Sequence, residues 1–423
     1  MPASLWTEAV AFVQGLVLVL GSVIPSTTEV PAPNWPRWRG PLQDGHTRET
    51  DLPKKWSDAD VAWKTPLPGS GQSSPIIWGD RIFLTSALDD GKQRLVFAVD
   101  RTTGKLLWQH TAWTSDAEHP PEKLHLWSSW ASASCVTDGE VVVAFFGRGG
   151  LHGYTLDGKH LWSRDLGEFK SPWGVAACPV IVGDLVIQNC DSEADASLSA
   201  FDKKTGKDVW KTKRPDNRGW STPILVKTEK RDELVLNGHD GVRGYDPASG
   251  KELWYCKSFA GRGEPTVTKA GELFVVANGT PGDFYAIKVG GDGDVTKSHM
   301  AWHTPRKGGR DIPSPIVVGK FVIMVDTAGI ATCYDAVDGH EYWKERLATG
   351  PKFTGSPIAV NGLAYFLNEA GTTFVVEPAE TLKIVETNTL TAGEDEIFRA
   401  SITPCDGQML IRSTNVLYCV GKK

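Results

Sequence analysis

The chain has 423 residues, a hydrophobic fraction of 40% and a formal net charge of -6. That is apolar enough for a sizeable core, and the acidic balance excludes a protein drawn to nucleic acid by a basic surface. Gly 44, Pro 26 and Trp 17, with few long helical patterns, point to many short strands joined by tight turns.

The chain opens on "AVAFVQGLVLVLGSVI" (Ala9 to Ile24), followed by the polar, proline-rich "PSTTEVPAPNWP". This reads as a secretory signal or membrane anchor and a linker, which sets residues 1–33 apart from 34–423. The apolar run is shorter than the roughly 20 residues of a spanning helix, so export to the periplasm or exterior is expected, with N-terminal membrane association as the alternative. Glu8 and the lack of Lys or Arg before the run depart from a standard signal, and no cysteine precedes Cys135 to carry a lipid.

Beyond the linker the sequence repeats. "AVDRTTGKLLW" (Ala98 to Trp108) returns as "AFDKKTGKDVW" (Ala200 to Trp210) and "GYDPASGKELW" (Gly244 to Trp254). Related strings end at Trp162 and Trp343, and worn copies end at Trp302 and Val385. Successive units, from Trp63 onward, recur every forty to fifty-odd residues, the period of a four-stranded propeller blade. Each unit begins with a small residue and often proline ("SSPI", "STPI", "PSPI", "GSPI"), then gives two apolar strands around a turn such as Gly79–Asp80 or Asn361–Gly362. A third strand ends in Asp, and a fourth carries Trp. In the string itself, Asp100, Asp202, Asp246 and Asp335 are placed to accept backbone amides, and Gly104, Gly206, Gly250 and Gly339 to supply the positive φ of the turn. Trp108, Trp162, Trp210, Trp254, Trp302 and Trp343 are expected to fill the wedges between blades.

Strand starts near Ser73, Ala131, Val175, Ser221, Pro265, Pro313, Gly355 and Ala400 count eight blades. The last lacks an outer strand, and the orphan strand Val61–Leu67 is expected to supply it and close the ring. The fold class is therefore all-β, an eight-bladed propeller of four-stranded antiparallel blades, expected as a monomer.

These strings resemble the repeats of the pyrroloquinoline-quinone (PQQ)-like β-propellers. With "NWPRWRGPLQDGHTRETDLPKKW" (Asn34 to Trp56) and "CVTDGEVVVAFFGRGGLHGYTLDGKHLW" (Cys135 to Trp162), the chain is most similar to exported PQQ-like repeat proteins of planctomycete type, and more distantly to BamB and the quinoprotein dehydrogenases. The resemblance implies the fold. The dehydrogenases of the family bind PQQ with calcium or a lanthanide beneath a vicinal Cys-Cys disulfide, with metal-binding Glu and Asn and a catalytic Asp; this chain has no adjacent cysteines and no such set placed by motif. Three functions follow: a non-enzymatic scaffold for a ligand or protein, a PQQ- and metal-dependent oxidoreductase, and a BamB-like factor in envelope protein assembly. No cofactor is expected under the first, PQQ with calcium under the second.

Other catalytic signatures are missing, including Gly-x-Ser-x-Gly, His-Glu-x-x-His and the phosphate loop. The seven cysteines read as buried free thiols, although Cys178 and Cys190 flank one hairpin. "DAEHPPEKLH" (Asp116 to His125) sits in the longest inter-blade loop; His119 and His125 are weak metal candidates there, and an ordinary solvated loop explains the same residues. With Trp113 and Trp127 this loop is expected to fold over the channel mouth. Finally, Arg218, Arg310, Lys352 and Arg399 each lie five residues before a proline, with Arg262 and Lys170 placed similarly. Blade-to-blade linkers carry them to one face, so they are expected to ring a channel mouth together with Trp173 and Trp220. Such a mouth suits an anionic small molecule, a glycan or an acidic envelope or extracellular protein. Solvated charges paired with Glu264 and Asp311 are the plainer explanation.

Overall fold

The computed structural model describes residues 33–421 except 172, 260, 280–281 and 307–308; the leader read at 1–33 falls outside them but for its last residue. Alternating apolar strands cannot bury both faces of one small sheet, so eight sheets pack around a common axis. The first blade comprises Ile76–Trp78, Arg81–Leu88, Gln93–Asp100 and Leu106–Thr114, ordered from the axis outward. Six more follow with the same antiparallel order. The eighth joins Thr403–Cys405, Gln408–Arg412 and Val416–Gly421 to the N-terminal strand Val61–Pro66, which pairs with Val416–Gly421 as the outer strand. The ring thus closes as the repeat count requires. The fourth blade carries an extra short strand, Gly293–Asp294, parallel to its outer strand Glu252–Lys257.

The repeated string does what its residues dictate. The Oδ1 atoms of Asp100, Asp202, Asp246 and Asp335 accept backbone amides two or three residues ahead at 2.7–3.1 Å. Gly104, Gly206, Gly250 and Gly339 follow with φ of 67–74°. Each of these glycines lies against the outer-strand tryptophan of the preceding blade: Gly104 on Trp63, Gly206 on Trp162, Gly250 on Trp210 and Gly339 on Trp302. The indole N–H then donates across the wedge, as from Trp108 to Leu156 O at 2.9 Å, Trp162 to Lys203 O at 2.9 Å and Trp343 to Ala379 O at 3.0 Å. Trp254 breaks the pattern. Its neighbour, the fifth blade, has an insertion in place of the turn, and the indole donates to Glu233 Oε2 in its own blade at 2.6 Å.

Residues 34–56 do more than lead into the ring. Trp35 exchanges two backbone hydrogen bonds with Ile77, and Thr137 N–H donates to Pro36 O at 2.9 Å. Gln43 bonds both backbone groups of Leu225, Arg39 Nη2 donates to Pro315 O at 2.8 Å, and Gly45 and Thr47 bond Ala359. The segment therefore crosses the channel and ties the inner strands of five blades together. It leaves through the seventh blade, where Trp56 stacks on Tyr365 with rings 2° from parallel.

Candidate functional site

The residue that opens each inner strand is Ser, Thr or Cys, and in five blades proline follows it, which holds it extended. Extended backbone turns its N–H sideways, toward the next blade. The outcome is a closed collar. The backbone N–H of Ser74 donates to Ser134 Oγ (2.8 Å), Ser134 to Cys178 Sγ (3.3 Å), and Cys178 to Thr222 Oγ1 (2.9 Å). Thr222 donates to Thr266 Oγ1 (3.0 Å), Thr266 to Ser314 Oγ (2.9 Å), and Ser314 to Ser356 Oγ (2.9 Å). Ser356 donates to Ser401 Oγ (3.0 Å), and Ser401 returns the chain to Ser74 Oγ (2.9 Å).

All collar residues except Thr266 line one cavity on the axis, whose walls enclose about 1020 Å³ counting its open mouth. Trp38 of the crossing segment forms the floor, its indole N–H on Ser401 Oγ at 3.3 Å. Above the collar the lining includes Trp127, Trp173, Trp220, Glu264, Arg310 and Arg399.

The long loop of the first blade does reach over this mouth. Arg94 Nη2 holds Glu122 at 2.6 Å, Arg148 Nη1 holds Pro120 O, and Arg399 Nη1 donates to Leu126 O at 3.0 Å. Gln72 Nε2 donates to Trp127 O at 3.2 Å, and Ser128 Oγ to Trp173 O at 2.6 Å. Trp127 thereby meets the cations from the far side of the ring: Arg310 lies 4.8 Å and Lys352 Nζ 3.9 Å from its ring centre. Arg310 is also 5.0 Å from Trp173, which Arg262 faces at 5.9 Å. The guanidinium of Arg310 thus bridges two indoles, a favourable and partly desolvated contact.

Of the cations read from the sequence, Arg262, Arg310, Lys352 and Arg399 are brought together around Trp127 and Trp173. Arg399 enters differently from the others. It stands two residues before its collar residue, Ser401, whereas Arg218, Arg310 and Lys352 stand four before theirs. Arg399 Nε is held by Glu369 at 2.8 Å, and Arg310 Nη2 by Glu264 at 3.4 Å. Arg218 pairs with Glu193, whose N–H meets Lys170 O, and these form a second group at the rim. Trp220 is fixed by its N–H on Gly174 O at 2.9 Å. Asp311 does not serve the mouth cations; it is buried and pairs with Arg306.

One other expectation resolves differently. Trp113 is not over the mouth but packs on Arg94 at 5.1 Å. His119 is exposed and bonds Asp116 at 3.1 Å, while His125 packs on Trp173 at 4.1 Å, so the pair is not assembled as a metal centre. All seven cysteines are free and buried, and burial pushes the thiols of Cys135 and Cys190 up to about 12.

A calcium-bound quinone needs six to eight oxygen ligands around its ion. The cavity is lined by one carboxylate, Glu264, and it is already engaged with Arg310. Its other oxygen is buried against Gly279 without a hydrogen-bond partner, and burial pushes the carboxyl above its usual range. Among the described residues no three His, Cys, Asp or Glu side chains cluster to hold a metal ion. The residues present do not fit the metal of a quinoprotein centre. The Ser/Thr-Pro pairs that open the strands do not by themselves disclose the collar or the crossing segment; the recurrence of a hydroxyl at one place in nearly every unit is the signal that points to the collar.

Comparison with known proteins agrees with this architecture. Residues 54–189 and 194–396 match the family described as outer membrane protein assembly factor BamB. A protein of that name from Burkholderia pseudomallei is 23% identical, covering 76% of this chain and 88% of its own. The crystal structure of BamB from Moraxella catarrhalis superposes with a TM-score of 0.60 at 15% identity, covering 86% of this chain and 98% of that one. A europium-containing methanol dehydrogenase gives 0.67 at 12% identity, covering 92% and 98%. The quinohemoprotein alcohol dehydrogenase of Comamonas testosteroni gives 0.62 at 12% identity, covering 94% and 82%. These structures share the fold; the sequence match covers most of the blades, and the chain belongs to the PQQ-like repeat propeller family described as outer membrane protein assembly factor BamB.

Proposed function

We propose that this protein is an exported, non-enzymatic propeller, periplasmic or secreted, that captures an anionic ligand or the acidic segment of an envelope or extracellular protein at the channel mouth. One observation carries the reading. In a chain of net charge -6, Arg262, Arg310, Lys352 and Arg399 converge from separate linkers on one aromatic-walled opening. Only Glu264 and Glu369 oppose them through ion pairs among the described residues. Like charges gathered this way repel, and an incoming anion relieves that repulsion in a site of low dielectric. Trp127 and Trp173 report on occupancy directly. Titration with short polyglutamate and oligogalacturonate should give saturable quenching of tryptophan fluorescence that weakens with salt and is lost in the Arg310→Gln/Lys352→Gln variant. A flat response to both probes would remove the proposal.

A second reading, a partner in envelope protein assembly, is favoured by the family match and by Leu126, 73% exposed at the tip of the mouth loop. Loss of copurifying envelope proteins in Leu126→Asp, with the fold intact, would support it.

A further inference from the structure

We infer that the channel ligand is an acidic saccharide, a sugar ring bearing a carboxylate or sulfate; this rests on the reading of the mouth as an anion site and narrows it. The collar supplies the first argument. Ser74, Ser134, Ser314, Ser356 and Ser401 line the cavity, and each Oγ already accepts a backbone N–H. Each therefore keeps its own O–H to donate, and all but Ser401, whose second lone pair takes the Trp38 indole N–H, keep a remaining lone pair. A neutral ring of groups that both donate and accept is matched by a polyol, whose hydroxyls do the same.

The aromatic surfaces supply the second. Trp38 closes the floor and Trp220 stands in the wall, each pinned through its indole N–H. Their apolar ring faces suit the C–H faces of a pyranose. The cations supply the third. Arg310 and Arg399 line the same cavity above the collar, with Lys352 on Trp127, where one anionic group of the sugar meets them. An inorganic oxyanion would use the cations and leave the collar and floor idle. An acidic peptide would lie along the rim, whereas the hydroxyls sit inside, below the charges.

The test uses three probes on the purified protein, followed by tryptophan fluorescence and calorimetry: trigalacturonate, neutral maltotriose, and trimesate, a planar tricarboxylate without hydroxyls. Trigalacturonate should bind saturably, with maltotriose and trimesate each at least about tenfold weaker, the size of one lost charged hydrogen bond. Arg310→Gln should cost trigalacturonate about tenfold, and Ser356→Ala should weaken trigalacturonate while leaving trimesate unchanged. Lys352→Gln, at a half-buried rim position, substitutes for Arg310→Gln if that variant does not fold. Trimesate binding as tightly as trigalacturonate would overturn the saccharide inference and leave the anion site standing. Maltotriose binding as tightly would overturn the charge requirement. Binding of none of the three would remove both.

Discussion

Ser314→Ala tests the collar most directly. Ser314 Oγ accepts the N–H of Thr266 at 2.9 Å, joining the fifth blade to the sixth. The two residues are 1% and 2% exposed. Alanine deletes one oxygen and leaves that N–H without its partner, a cost of about 1–3 kcal/mol. Because Ser314 lines the cavity, a water entering from above can take the oxygen's place, so the expected loss is about 1–2 kcal/mol. Ser314→Thr keeps the acceptor, and threonine fills the same place at Thr222 and Thr266, so it should cost under about 0.5 kcal/mol. Guanidinium unfolding of the three proteins gives the energies, and hydrogen exchange at the Thr266 amide localises them. If Ser314→Ala unfolds at the wild-type midpoint with the Thr266 amide still protected, the collar contributes nothing and the reasoning is wrong.

Cys178 is the collar's one sulfur, a weak acceptor at 3.3 Å from Ser134 N; Cys178→Ser should leave stability within about 0.5 kcal/mol of wild type or raise it, measured the same way. Gly206 has φ +67° and a Cβ there would lie 2.6 Å from the Trp162 ring, so Gly206→Ala should destabilise by more than about 1 kcal/mol, where an ordinary surface Gly→Ala is neutral or stabilising. His152 is buried, with Nε2 2.6 Å from Gly149 O, and burial depresses its pKa to about 4. The unfolded chain protonates this group near 6.5 and the folded one near 4, so its contribution is full above 6.5 and is lost as pH falls through that window. The loss is on the order of 3 kcal/mol, and His152→Gln should flatten the decline between pH 6.5 and 4 in urea titrations.

Most of the fold is legible in the sequence because it rests on local chemistry that recurs along the chain. An Asp that accepts its own turn's amides, a Gly at positive φ and a Trp four residues on specify one hairpin and one wedge. Those interactions span few residues, so their spelling survives in "AVDRTTGKLLW" and its copies, and the orphan strand at Val61 follows from counting. The site is different in kind. The collar joins residues such as Ser401 and Ser74 that are far apart in the chain, and no one unit shows that it closes. The crossing of residues 34–56 depends on backbone pairing with three blades and on the single side chains of Gln43 and Arg39 reaching two more, which carries no periodicity to read. The cations of the mouth were visible one by one. That Arg310 lies between Trp127 and Trp173, while Trp113 turns away to Arg94, was decided by where the ring brings its linkers and by which indole could stack on a guanidinium without leaving a buried charge unpaired.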